Sequence, residues 1–438
     1  MEAEFFELAQ RLTQQVRDGE VLTLWFAGER SDFVRFNQGK VRQPGSVEQR
    51  RLQLRLISAG RHVSTNLSLS GTAADMALCM KAIETIRDIL HDLSPDPYLN
   101  YAREVRNTHA RRAGDLPAAQ EIVEQVGRCA EGRDLVGIHA AGPMFRGFAN
   151  SLGQRNWHEA ASFNFEWSLY ERGDKAVKSG YAGFAWSEAQ LQRSMAVAAE
   201  QLALLRTAPR RIPAGQYRAY LAPRALDELI GLLGWGGFSA KARAINRSPL
   251  LRMQEGQRLH SALTLRENTA AGVAPQFQAD GYIKPESVTL IDRGALGEAL
   301  VAPRTAQEYD LECNGASGAE SPQSVEIDAG DLPNTDVLST LDTGLYINNL
   351  WYLNFSDRGA GRCTGMTRFA TFWVERGKIV APVEVMRFDD SIYRILGSQL
   401  LGLTHERELL LDAGTYGERS NASSHLPGAL IEGLTLTL

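Results

Sequence analysis

Residues 51–58, RLQLRLIS, alternate without a break: Leu52, Leu54 and Leu56 fall on one face, Arg51, Gln53 and Arg55 on the other. That period of two predicts a half-buried antiparallel strand. FNFEWSLY repeats it with Phe163, Phe165, Trp167 and Leu169. LVGIHAAGPMFRGFANS reads as two strands joined at Gly142–Pro143. Elsewhere in the first half the period lengthens toward 3.6. Phe5, Leu8, Leu12 and Val16 make an amphipathic helix closed by Gly19. Met76, Met80, Ile83, Ile86 and Leu90 predict a helix near 72–91, ended by Pro95 and Pro97. Ile122, Val123 and Val126 predict another from Pro117 to Gly132. A further helix opens at Ser187, where Gln190 completes a capping box.

That last helix fades into RTAPRRIPAG, which reads as an exposed connection between domains 1–207 and 208–438. The second half is strand-rich. SVTLIDRGALGEALV and RFATFWVERGKIVAPV read as hairpins turned at Arg-Gly. YINNLWYLN reads as a strand, and SIYRILGSQLLGL as a late helix. One helix stands out: Leu226, Leu229, Ile230 and Leu233 form an apolar stripe over 226–234, with Asp227 and Glu228 in its first turn and Gly234, Gly236 and Gly237 at its stop. Strands and helices segregate instead of alternating. The fold class is therefore α+β: an N-terminal α+β domain with a mainly antiparallel sheet, then a β-rich C-terminal domain.

The chain has 438 residues, 44% hydrophobic and 23% charged, which is enough to build sizeable cores. A formal charge of −5 provides no global field for nucleic acid or acidic lipid, and the arginine clusters are not interleaved with aromatics. The N-terminal stretch is acidic and lacks the continuous apolar run of a signal peptide. No stretch is long and apolar enough to span a membrane. Four scattered cysteines suit a reduced compartment, so a cytoplasmic protein is expected.

Familiar catalytic patterns are missing. His158–Glu159 and His405–Glu406 each lack a second histidine at helical spacing and read as polar surface groups. Ser239 and Lys241 invite a Ser–Lys dyad, but a neutral lysine needs burial. GAGRCTG reads as a mobile glycine-rich loop that carries Cys363 as a free thiol. For binding, YINNLWYLN offers Tyr346, Asn348 and Tyr352, and Arg368 in GMTR can meet a peptide carboxylate. No catalytic residue and no metal ligand is assigned.

Several segments in order resemble the TldD/PmbA family: FANSLGQRN, YRAYLAPRALDELIG, GGFSAKA, SVTLIDRGALGEALV, TGLYINNL and TGMTRFATFWVERGKIVAPVEVMRF. The resemblance implies a two-domain α+β fold, dimers, and two kinds of subunit. The TldD kind carries HExxxH on the helix after the opening strand of the second domain, with a cysteine completing a zinc site. The PmbA or TldE kind lacks it. Here that helix holds leucines, an isoleucine and glycines, so the chain resembles the non-metal subunit. The resemblance then implies no cofactor in this chain and zinc in a TldD-like partner. It also implies a peptide substrate and a heterodimer with that partner; the alternative reading is a stand-alone homodimer that binds peptides or another protein without catalysis.

Overall fold

The computed structural model describes residues 1–172 and 175–437. Helix α1 (Glu2–Thr13) precedes a meander of β1 (Glu20–Asn37), β2 (Lys40–Ser58) and β3 (Arg61–Ser68). Then come α2 (Ala74–Asp92), β4 (Thr108–Arg112), α3 (Ala119–Ala130), β5 (Asp134–Asn150), β6 (Arg155–Arg172), β7 (Lys175–Gly183) and α4 (Glu188–Leu205). The strands make one sheet in the order β3-β2-β1-β5-β6, with β4 and β7 pairing with successive stretches of β6. All its pairings are antiparallel except β4 with β6.

Alternation decides which face is covered. Leu22, Leu24, Phe26, Val34 and Phe36 of β1 share one face and are all buried. Helices α1 and α2 cover one end of that face, and α3 and α4 the other. The predicted cap of α4 is half made: Ser187 Oγ accepts from Gln190 N at 3.3 Å, while Ser187 N donates to the Tyr181 hydroxyl. The opposite face of the sheet carries Trp25, His158 and Glu166 and turns toward the rest of the chain.

The predicted turn at Gly142–Pro143 does not form. Strand β5 runs straight through, held in register by β6 along its length. Its pairing with β1 lapses opposite Arg30 and Ser31, where Pro143 has no N–H to give. Gly142 fits this lapse because its φ is +134° and a Cβ there would lie 2.1 Å from the Arg30 carbonyl.

The second sheet contains β8 (Gly215–Leu221), β9 (Leu265–Glu267), β10 (Val288–Asp292), β11 (Ala295–Leu296), β12 (Ser324–Ile327), β13 (Gly344–Ile347) and β14 (Trp351–Asp357). It continues with β15 (Arg362–Met366), β16 (Thr371–Glu375), β17 (Lys378–Pro382), β18 (Arg387–Ser391), β19 (Leu400–Leu411) and β20 (Ser423–Leu436). Its main path is β11-β10-β9-β12-β20-β8-β13-β16-β17. Both Arg-Gly hairpins form as predicted. Arg293–Gly294 and Arg376–Gly377 all have positive φ, the type I′ geometry that matches strand twist.

Two expectations change here. SIYRILGSQLLGL is helical only over 392–398, where Arg394–Ser398 is π-type; Leu400 onward is β19, because pairing with β20 supplies its hydrogen bonds. YINNLWYLN breaks at 348–350 into β13 and β14. RTAPRRIPAG is largely exposed, as expected, and is tethered at one point: Arg210 N donates to the Pro382 carbonyl at 2.7 Å, and its guanidinium pairs with Glu375 and stacks 4.6 Å from the Trp373 ring centre. A division at 207/208 would leave both sheets whole. The two parts share a core, since Ala370 and Phe372 pack with Phe165, Trp167 and Leu202.

Candidate functional site

Helix α5 (Pro223–Leu233) follows β8 directly. Pro223 at its first position has the right φ and lacks only an N–H that the helix would leave unpaired. The helix thus starts a turn earlier than the apolar stripe suggests. Asp227 and Glu228 fall in its second turn, where the dipole offers them little. The stripe itself holds: Leu226, Leu229, Ile230 and Leu233 are buried. The helix stops where Gly237 N donates to Leu233 O at 2.8 Å, an approach that a Cβ on Gly237, 2.5 Å from that oxygen, would block.

The other face of α5 explains its glycines. Asp227, Glu228, Gly231, Leu232 and Gly234 line a cavity of about 500 Å³, and nothing lies within 4 Å of where a Gly231 Cβ would sit. Glu166 of β6 and Lys178 of β7 reach in from the first sheet, and Asp412 and Ser424 from the chain around β19 and β20. Arg224 binds Glu166 at 2.9 Å and donates through Nε to Glu408 at 3.1 Å. Burial pushes the Asp227 and Glu408 carboxyls up from the usual range; Ser424 and Arg224 oppose the rise at Asp227, and Arg224 opposes it at Glu408. Glu228 moves the same way although its side chain is open to water in the cavity, because the wall surrounds it.

The side of α5 that lines the cavity presents Asp227, Glu228 and Leu232. A leucine donates nothing to a metal, and carboxyls pushed toward the neutral form bind a cation less readily. No three His, Cys, Asp or Glu side chains among the described residues are placed to hold a metal ion. The residues present do not fit a tetrahedral zinc site.

The structure scatters the residues singled out from sequence. Tyr346 is half-buried against Tyr220, ring centres 5.2 Å apart, and burial pushes its phenol up to about 12. Asn348 ties the two sheets together, donating to the Lys178 carbonyl at 2.9 Å. Tyr352, 75% exposed with φ +56°, lies beside Trp351, and Arg368 stacks 4.4 Å from the Trp351 ring centre. Tyr352 and Arg368 therefore share one surface patch through Trp351. None of the four lines the cavity; Asn349 does, with a buried Oδ1 that has no partner among the described residues.

Other expectations are corrected. Cys363 is not in a loop but on β15, fully buried, with its thiol pushed up to about 12 by burial and the nearby Asp390 and Asp389. His158 is half-buried, its Nε2 3.0 Å from the Val273 carbonyl. Ser239 Oγ donates to Glu320 at 2.5 Å, and Lys241 Nζ binds Glu308 at 3.0 Å, so each has a carboxylate partner of its own. Glu166, Lys178, Arg224, Asp412 and Ser424 had no sequence signal.

A family model described as the PmbA/TldA metallopeptidase C-terminal domain matches residues 214–438, more than half of the chain. The fold is similar to TldE from Thermococcus kodakarensis (15% identity, TM-score 0.79, 99% of this chain and 100% of that one). It is also similar to a candidate modulator of a DNA gyrase from Thermotoga maritima (14%, TM-score 0.76, 100% of both chains). A third similar structure is a candidate modulator of DNA gyrase from Bacteroides thetaiotaomicron (15%, TM-score 0.76, 99% of both). No curated protein matches. No helix among the described residues is long and apolar enough to cross a membrane. With its second half matched by that model and its whole length following the fold of these structures, the chain belongs to the metallopeptidase-related TldD/PmbA family.

Proposed function

We propose that this chain is the non-metal, TldE/PmbA-type subunit of a heterodimeric peptidase acting on small or unfolded peptides. It shapes the peptide cleft, and a TldD-like partner supplies the zinc and the hydrolytic water. One observation carries the reading: α5 lies beside a cavity of about 500 Å³ and lines it with Asp227, Glu228 and Leu232, a set without the histidines of a zinc site. The exposed aromatics suit a partner. Trp235, at the cavity wall, is 55% exposed, and Trp351 and Tyr352 lie on β14, whose one ladder partner among the described residues is β15.

The test is reconstitution. The pure chain, exchanged into metal-free buffer, is expected to retain no stoichiometric zinc and to cleave no peptide. Mixed with a TldD-like chain carrying HExxxH, it is expected to form a complex that cleaves unfolded peptides, and a Glu→Gln change in the partner's motif abolishes the activity. Chelator-insensitive cleavage by this chain alone, or a chain that forms only homodimers and leaves the partner's activity unchanged, refutes the assignment.

A further inference from the structure

The cavity beside α5 holds more carboxyl than cation. Glu166, Asp227, Glu228 and Asp412 line it, against Lys178 and Arg224. Arg224 is engaged by two carboxylates, Glu166 and Glu408. Asp412 accepts from Gly414 N at 2.9 Å and also lines an adjoining recess, whose other charged groups are Arg146 and Arg419 with Asp280 and Glu418. Counting that recess in does not restore the balance, because its two arginines meet two carboxyls besides Asp412. Asp227 and Glu228 are left with distant attraction alone: Arg224 for Asp227 and Lys178 for Glu228, with no ion pair to either carboxyl among the described residues.

A second group in the lining is independent of this charge. Asn349 lies between β13 and β14, lines the same cavity and is 2% exposed, and its Oδ1 has no partner among the described residues. A buried amide oxygen without a donor is costly, and what completes it is an N–H or O–H. The cavity thus lacks both a donor and positive charge. An ammonium supplies the two together, with three N–H donors on one compact charge. Unlike zinc, it needs no tetrahedral set of imidazoles and thiolates, and it is held by a neutral amide oxygen as well as by carboxylates. Leu353, Leu410 and Leu411 give the cavity an apolar wall for a carbon stem, and the space over Gly231 is open.

We propose that the α5 cavity takes the ammonium group of a peptide, drawn in by Asp227 and Glu228 and accepted by Asn349 Oδ1. The proposal rests on the peptide-binding reading above and names the chemistry of the peptide that the cavity selects. An α-amino terminus and a lysine side chain share this chemistry, and the probes below separate them.

The full chain is titrated by calorimetry with three tripeptide amides: trialanine amide with a free amino end, its N-acetyl form, and an N-acetyl amide with lysine between two alanines. The free amine is expected to bind about tenfold tighter than the neutral acetyl form. That preference should be lost in Glu228→Gln, which leaves Lys178 to repel the ammonium. It should also be lost in Gly231→Leu, which fills the cavity and changes no charge. If only the lysine peptide gains over the neutral one, the ammonium comes from a side chain and the site stands. Equal binding of all three peptides, or a preference that survives either variant, overturns the proposal and leaves the peptide reading intact. Butylammonium chloride in a thermal-shift assay, set against sodium chloride at equal ionic strength, reads the cavity without a peptide. If it stabilises the wild type but neither variant while no peptide binds, the ammonium site stands and the peptide reading falls. If neither it nor any peptide binds, the ammonium site is refuted, whatever the reconstituted complex does.

Discussion

Arg224 of α5 donates to both carboxylate oxygens of Glu166 on β6, at 2.9 and 3.1 Å, and so joins the second part of the chain to the first sheet. Its Nε also holds Glu408 of β19, so one guanidinium serves two partly buried carboxylates beside the cavity. Arg224→Met leaves both unpaired, and a loss of about 3–5 kcal/mol in unfolding free energy is expected. Burial already pushes the Glu408 carboxyl up and Arg224 opposes that rise, so in the variant Glu408 lies further above its unfolded value. The contribution of its protonated form is present at low pH and lost as pH rises, so the penalty is smaller at pH 5 than at pH 8. Urea titrations at the two pH values check this. A penalty independent of pH would show that lost packing, not unpaired charge, is the cause.

His139 on β5 is enclosed by Phe163, Phe165 and Trp186, and neither ring nitrogen has a partner among the described residues. Burial, aided by the Arg419 charge, pushes it down to about 3. The unfolded chain therefore takes up this proton first, near the ordinary value of about 6.5. Its contribution is complete above that pH and is lost as pH falls toward 3, by about 1.4 kcal/mol per pH unit. His139→Phe lacks this term, so its stability relative to wild type should climb as pH falls from 6.5 to 5, approaching that slope at the acid end. Parallel curves across that window would refute the assignment.

Ser239 caps the short helix at 240–244, accepting from Ala242 N at 3.0 Å while donating to Glu320. Glu320, 2% exposed, also accepts from Lys241 N and Ala302 N, which makes it the anchor of this corner. Ser239→Ala should cost about 1–2 kcal/mol of stability through the lost cap. It should leave peptide cleavage by the reconstituted complex within about twofold of wild type, a change too small for a lost nucleophile. Thermal unfolding and cleavage rates of the same preparation test both halves, and a large rate loss at unchanged stability would restore a chemical role.

The four thiols should divide by accessibility. Cys79 and Cys363 are fully buried, and burial pushes them up to about 11 and about 12; Cys129 and Cys313 are half-buried. A thiol-reactive chromophore at pH 8 should label Cys129 and Cys313 first, and Cys79 and Cys363 only on unfolding. Fast labelling of Cys363 in the folded chain would show that β15 opens far more readily than its pairing with β14 and β18 implies.

The sequence by itself determined what depends on neighbours along the chain. Alternation placed Leu52, Leu54 and Leu56 in the core, and Arg-Gly between two strand patterns produced both type I′ turns. The stripe on α5 named the buried face of that helix, because a period of 3.6 maps directly onto one side of a cylinder. Local pattern failed where pairing with a distant strand won. It read a turn at Gly142–Pro143, which β6 holds straight, and a helix over 391–403, whose end from Leu400 onward β20 draws into a ladder. Sequence offered Asn348, but the chain between β13 and β14 gives Asn348 to the first sheet and Asn349 to the cavity. The site itself was a tertiary decision. Glu166, Arg224 and Asp412, like Arg146 and Arg419, come from segments far apart in sequence, and only the packing of one sheet's open face on the other half removes their charges from water together.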